Sequence, residues 1–259
     1  MSTPGALVWS ATAGIVGVRH LVLVHGSLDR SAGLLKLSRR LDARYRVTRY
    51  DRRGYGRSRP HPGPFGIEQQ VADLVEVVRI APGANGPVVI VGHSYGGNVA
   101  LATADRHPDL VAGVVTFETP LSWMPWWPAT SAGGDAMAWR DEPEEAAERF
   151  MRRLVGDERW DRLPPSSRAA RRSEGPAMIG ELADLRQAAP WRADRVGVPV
   201  LALRGEHGHE HHRVGTEALA AMLPRATMAT VADARHFGPN THPDRVADFV
   251  IDFVESLGT

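Results

Sequence analysis

The chain has 259 residues, enough for one large α/β domain or for a domain carrying an insertion. Its 31 basic and 30 acidic residues nearly cancel, which argues against a broad field for nucleic acid or an anionic membrane and favours a small-molecule partner. Cysteine is absent, so disulfides and thiol catalysis are excluded.

The opening stretch, "MSTPGALVWSATAGIVGVRHLVLVHG", has neither a basic leader nor a clean apolar segment, and no run in the chain reaches the length of a membrane span. The expectation is a soluble, cytoplasmic protein with no membrane or nucleic-acid partner. Two short β-prone pieces, residues 7–10 and 15–18, flank the turn-like Ala13-Gly14 and predict an edge hairpin. Apolar β-rich runs follow at 20–24, 46–51, 88–92, 111–118, 198–205 and 226–231, alternating with helical patterns. Such alternation predicts a mostly parallel sheet covered by helices. Ile67, Val71, Leu74, Val75 and Val78 form one helical stripe, and Val246, Phe249, Val250, Phe253, Val254 and Leu257 another; both suit core packing.

The rhythm breaks over residues 121–190, where no parallel strand is evident. Tryptophans (Trp123, Trp126, Trp127, Trp139, Trp160), a Pro-Pro pair and charged helical segments replace it. This predicts a helical insertion, with Glu145 to Arg149 and Glu148 to Arg152 spaced for i,i+4 pairs on a solvated face.

Three stretches carry chemistry. The apolar run from Val88 ends abruptly in "GHSYGG", a G-x-S-x-G arrangement around Ser94. A serine there can merely cap the next helix, or it can be the exposed nucleophile of a strand-to-helix elbow. A serine is inert alone and needs a base, an orienting acid and oxyanion donors. His236, in "ADARHFGPNTHP", follows the last predicted strand, giving the chain order serine then histidine; nearby His242 reads as a helix-initiating residue before Pro243. After the first buried strand, "HGS" puts Gly26 in a turn that can aim the Ser27 amide at a developing oxyanion, with the Tyr95 amide as the second donor. "DRRGYGRS" matches neither a P-loop nor a dinucleotide fingerprint and reads as a structural turn.

"HGS", "DRRGYGRS", "GHSYGG" and "HFGPNTHP", in this order and at these separations, resemble the α/β-hydrolase superfamily over nearly the whole chain. The resemblance implies a mostly parallel sheet flanked by helices, with core residues 1–120 and 191–259 and a helical cap, 121–190, inserted after the sixth strand. It implies Ser94 as nucleophile, His236 as general base, the Ser27 and Tyr95 amides as oxyanion hole, and no cofactor. A serine rather than a carboxylate nucleophile points to attack on a carbonyl, hence hydrolysis of an ester, lactone or thioester of a small, largely apolar substrate through an acyl-enzyme. Trp123, Trp126 and Trp127 are candidate pocket walls, or packing residues of the cap.

The acid departs from the commoner family pattern, in which an aspartate stands three residues beyond the glycine ending the seventh strand. Counting from Gly205 gives Gly208, which has no carboxylate. Glu118, at the end of the sixth strand, is the preferred acid because catalytic groups gather at the carboxyl ends of parallel strands; Glu206 is the alternative. The same scaffold also admits hydroxynitrile-lyase-like or acyltransferase chemistry, or a non-enzymatic ligand receptor. "GEHGHEHH" (205–212) resembles a metal tract, with His207 and His211 on one face if helical, but H-E-x-x-H is not matched and no metal is expected.

Overall fold

Each β-rich run becomes a strand in the computed structural model, which describes residues 8–81 and 86–258. The strands are β1 (Ser10–Gly14), β2 (His20–Val24), β3 (Arg46–Tyr50), β4 (Val88–His93), β5 (Val111–Phe117), β6 (Val200–Gly205) and β7 (Ala226–Val231). They form one sheet in the order β1-β3-β2-β4-β5-β6-β7. All neighbours are parallel except β1 and β3.

The hairpin expected before His20 does not form. Ser10–Gly14 instead lies antiparallel along β3, with Ser10 opposite Tyr50 and Gly14 opposite Arg46, while residues 15–18 make the turn into β2; Leu7 lies outside the described residues. Pairing with β3 covers an edge whose backbone groups would otherwise lack partners, and Thr12 and Thr48 add a hydroxyl–hydroxyl bond of 2.7 Å across it. With one strand there instead of two, the strand leading to Glu118 is the fifth, not the sixth.

Alternation along the strands divides the core between the two faces. Leu21, Leu23, Val89, Val91 and Val115 pack with helices Leu35–Leu41 and Pro243–Ser256. Val22, Val24, Ile90 and Val114 pack with helices Ile67–Ile80 and Tyr95–Arg106. Both sequence-predicted stripes face this core, Phe249 and Leu257 being partly buried. No helix among the described residues is long and apolar enough to cross a membrane.

The order of strands sets the position of everything chemical. The chain runs from β2 outward to β3, then returns to the other side of β2 as β4. The crevice where the direction reverses lies beyond the carboxyl ends of β2 and β4, where open α/β sheets bind ligands. Val24 pairs with Gly92, and His93 with Phe117. The segments that follow these residues, starting at His25, Ser94 and Glu118, therefore leave the sheet side by side.

Residues 121–190 contain five helices, Ala132–Met137, Pro143–Val155, Asp157–Asp161, Pro165–Arg172 and Gly175–Asp184, and no strand. Phe150, Met178 and Leu182 from these helices form a third apolar cluster with Leu28 and Tyr55 of the sheet loops. Of the two expected helical ion pairs, Glu148–Arg152 is present at 2.9 Å. Arg149 instead approaches Asp135 at 3.8 Å and lies over the Trp139 ring, while Glu145 faces Arg172.

One polar contact locks the insertion to the sheet. Glu181, fully buried, pairs with the fully buried Arg52 and accepts from Tyr55 Oη at 2.8 Å, Ser27 Oγ at 2.9 Å and Gln70 Nε2 at 3.0 Å. Removing one partner of such a pair leaves an uncompensated charge. Glu181→Leu is expected to cost roughly 3–5 kcal/mol of unfolding free energy in urea titrations. Glu181→Gln, which removes the same charge but keeps the shape and an acceptor oxygen, should cost less; equal losses would mean that charge alone, rather than shape and hydrogen bonding, holds the insertion.

Candidate active site

β4 is buried along its whole length and drives straight into Ser94, whose backbone sits at φ 52° and ψ −125° before helix Tyr95–Arg106 begins. A non-glycine residue there is strained, and such strain persists only where the surroundings over-determine it. The constraint is visible at Gly96: a Cβ on it would lie 2.3 Å from the Val24 carbonyl oxygen. Only glycine lets the helix start so close to β2. The turn exposes Ser94 at the head of the helix, in a cavity also lined by Ser27, Tyr95 and His236.

The Gly26-Ser27 turn runs directly beside the serine, since a Cβ on Gly26 would be 3.5 Å from Ser94 Oγ. Arg52 holds that turn, donating through Nε to the His25 carbonyl at 2.9 Å and through Nη2 to the Gly26 carbonyl at 3.0 Å. The Arg52 amide donates to His25 Nε2 at 2.9 Å, which makes Nδ1 the protonated nitrogen that bonds the Gly26 carbonyl. Burial, reinforced by the Arg52 charge, keeps His25 neutral and its pKa well below the usual value.

His236 Nδ1 meets Glu118 Oε2 at 2.8 Å. The second oxygen, Oε1, accepts from the Gly205 amide at 3.0 Å, so the buried carboxylate is fixed from both sides. Nδ1 therefore carries the proton and leaves Nε2 as the free acceptor of the ring. Glu206 is elsewhere: it is exposed and accepts from the Asp233 amide. Gly208, the position at which the commoner pattern would carry its acid, abuts Glu118, since a Cβ there would fall 2.2 Å from Oε1. Of the two candidate acids, the fold brings Glu118 to His236.

Two further histidines flank His236. His93 donates Nε2–H to the His236 carbonyl at 2.8 Å, and the His212 ring stacks on His236 with centroids 4.6 Å apart. Burial, together with the nearby His236, lowers His93 to about 3 and His212 well below the usual value. The helix of this tract starts only at Glu210, so His207 lies outside it and does not share a helical face with His211. Glu118, His212 and His236 bring ligand atoms within 4.8 Å of one another, as do the exposed Glu206, His207 and Asp233. The first set has the donors zinc accepts, but both Glu118 oxygens already hold protein hydrogen bonds.

The cavity measures about 250 Å³ and adjoins a second of about 160 Å³; both include Ser27, Ser94, Phe150, Leu154 and His236 in their walls. Of the three tryptophans proposed for the pocket, Trp127 lines the larger cavity. Trp123 instead packs edge-on against Trp191, and Trp126 is 41% exposed. Sequence reasoning missed Glu181 and Arg186, and read His212 only as part of a metal-like tract. The signal for Glu181 was present, a lone acid in the apolar run "AMIGEL" (177–182).

The chain matches the Alpha/beta hydrolase family over residues 21–249. The chain belongs to that family. It is 32% identical over 105 residues to Lipase LipV of Mycobacterium tuberculosis, covering 40% of this chain and 39% of the lipase. It is 30% identical over 189 residues to the pimeloyl-[acyl-carrier protein] methyl ester esterase of Aromatoleum aromaticum, covering 64% and 73%. The first curated relatives are matched over only about a fifth to two fifths of their length. A thermophilic esterase from Thermogutta terrifontis superposes with a TM-score of 0.75 at 24% identity, over 97% of this chain and 94% of that one.

This α/β-hydrolase buries several neutral histidines, and the sign of their effect on stability follows. His20 is lowered to about 4 by burial and by Arg46, alongside His25, His93 and His212. Below about pH 6.5 the unfolded chain takes up protons that these folded rings refuse, so stability is full above that pH and falls steadily as the pH drops towards 3 to 4. Urea denaturation at pH 5.5 should give a lower unfolding free energy than at pH 7.5, by about 1 kcal/mol for each such ring. Equal stability at the two values would mean that the rings are protonated in the fold.

Proposed function

We propose that the protein is a serine carboxylic-ester hydrolase acting on small acyl substrates, with lactones and thioesters as chemical variants, through an acyl-enzyme. The observation that carries this reading is the bond from His236 Nδ1 to the buried Glu118 carboxylate, with His236 and the strained Ser94 lining one cavity. The names of the curated lipase and methyl ester esterase relatives support it.

Ser94 Oγ attacks the carbonyl carbon while His236 Nε2 takes its proton. Glu118 holds the ring in the required tautomer and stabilises the imidazolium. The Ser27 and Tyr95 amides receive the oxyanion, where preorganised donors are worth most. Collapse expels the alcohol, which takes the proton from His236. Water then attacks the acyl-enzyme, losing its proton to His236, and the second collapse returns that proton to Ser94 Oγ and frees the acid. Two cavities meeting at Ser94 support separate seats for the acyl and leaving groups. Residues 121–190 act as a cap in this reading, because Phe150, Leu154 and Leu182 wall the cavity.

A fluorophosphonate probe should add one label, located at Ser94 by peptide mass spectrometry. Glu118→Gln should lower kcat by roughly 10²- to 10⁴-fold with the fold intact, and Glu206→Gln should have little effect. Gly208→Ala should lie between them, because its methyl group displaces the Glu118 carboxylate. Active protein left unlabelled at Ser94 would remove the acyl-enzyme mechanism, and reversed glutamate effects would move the acid to the loop after β6.

EDTA should leave turnover unchanged. A loss restored by added metal would instead assign Glu118, His212 and His236 to a metal centre.

A further inference from the structure

The 121–190 segment is rich in arginine, and most of its guanidinium groups are neutralised within it. Arg149, Arg152, Arg162, Arg168, Arg171 and Arg172 each have a carboxylate within 4.0 Å. Apart from the exposed Arg140, the arginines without a carboxylate partner among the described residues are Arg153, Arg159 and Arg186, and all three line the cavities that contain Ser94.

Arg186 is the most enclosed of these. It leaves the end of helix Gly175–Asp184, and its Nη1 donates to the Leu182 carbonyl at 2.9 Å, which fixes the plane of the fork. Gly133 makes room for it: a Cβ there would lie 2.9 Å from Arg186 Nη2. Arg153, also in this wall, is tethered through Nη2 to the Thr130 carbonyl at 2.9 Å. Burial pulls the Arg186 pKa below its ordinary value, and no carboxylate offsets it. A partly desolvated cation without a counterion costs free energy that an anionic ligand would recover. The rest of the wall is mixed, with Trp127, Phe150, Leu154 and Leu182 beside the hydroxyl-bearing Ser122 and Ser131.

Resting on the hydrolase reading above, we propose that the substrate carries a second, anionic group remote from its scissile bond, and that this group docks on Arg186 with Arg153 beside it. The planar fork of Arg186 suits a carboxylate or a phosphate, both of which accept paired N–H bonds. The substrate is then an ω-anionic ester whose apolar middle fills the 250 Å³ cavity and whose carbonyl reaches Ser94.

The test compares esters of equal length with and without the terminal charge: monomethyl adipate against dimethyl adipate for an anion on the acyl side, and 4-acetoxybutanoate against its methyl ester for one on the alcohol side. Methyl 6-phosphonohexanoate separates phosphate-like from carboxylate preference. At least one charged ester should exceed its neutral counterpart by about tenfold or more in kcat/KM. That ratio should collapse towards one in Arg186→Met and be partly kept in Arg186→Lys. Binding is read separately by calorimetry with adipate on Ser94→Ala, which should weaken about tenfold or more when Arg186→Met is added. No charge preference in any pair, together with no adipate binding, would overturn the anion subsite while fluorophosphonate labelling of Ser94 upheld the hydrolase. Adipate binding that depends on Arg186, in a protein that neither labels nor hydrolyses any ester, would uphold the subsite and overturn the hydrolase. The wild-type ratio and the adipate titration need no variant at Arg186, so misfolding of Arg186→Met cannot mask either result.

Discussion

Arg52 is the point at which three separate parts of this chain are held together. Its guanidinium donates to the carbonyls of His25 and Gly26, pairs with Glu181 of the insertion, and lies 4.9 Å from the centroid of Tyr95, the residue after Ser94. A charge buried this completely is tolerable only if every donor is met, and a pair of this kind contributes little net stability compared with well-packed apolar residues. Its consequence is geometric. The Gly26-Ser27 turn and the last insertion helix cannot shift independently without breaking a hydrogen bond in a low-dielectric interior, and the start of the elbow helix is tied to them by the ring contact of Tyr95. Ser27 is drawn into the same network through its hydroxyl, which donates to Glu181. The wall of the cavity and the turn beside Ser94 are therefore positioned by one set of bonds.

The placement of Glu118 shows how a local change of sequence is accommodated by its surroundings. The carboxylate stands at the end of β5, one strand nearer to Ser94 in the sheet than the loop after β6. It reaches across to the Gly205 amide at the end of β6 and fills the space that a side chain at Gly208 would take. An acid at either position can address the same histidine, but both cannot be built at once. The missing carboxylate at Gly208 and the glutamate ninety residues earlier in the chain are thus one feature seen from two places.

Much of this was legible in the sequence because periodicity and glycine placement act locally. The parallel strands, the two apolar helical stripes and the strand-to-helix turn at Ser94 each follow from a short window. What was not legible depends on where distant windows meet. The edge hairpin differs because Ala13-Gly14 looks like a turn between β-prone pieces at 7–10 and 15–18, and only the open side of β3 draws residues 10–14 into a single strand. Trp123 and Trp126 looked equivalent to Trp127, yet Trp123 is taken up by Trp191, some seventy positions later. Arg52 read as part of a turn because its partner Glu181 lies over a hundred residues away in a helix whose other residues are largely apolar. Arg186 carries no sequence signal of its own, because the absence of a carboxylate partner for it is a property of the fold.

Charge around the site is distributed with the same economy. His93 and His212 lie against His236 and are held neutral by burial, so neither adds a positive charge where an imidazolium would form. The guanidinium groups in the wall of the 250 Å³ cavity are those of Arg153 and Arg186. A proton on His236 would be balanced by the Glu118 carboxylate bonded to it, while the anionic group proposed for the substrate would be drawn to the arginines. In the proposed reading, an anion held by the arginines does not compete with Glu118 for His236.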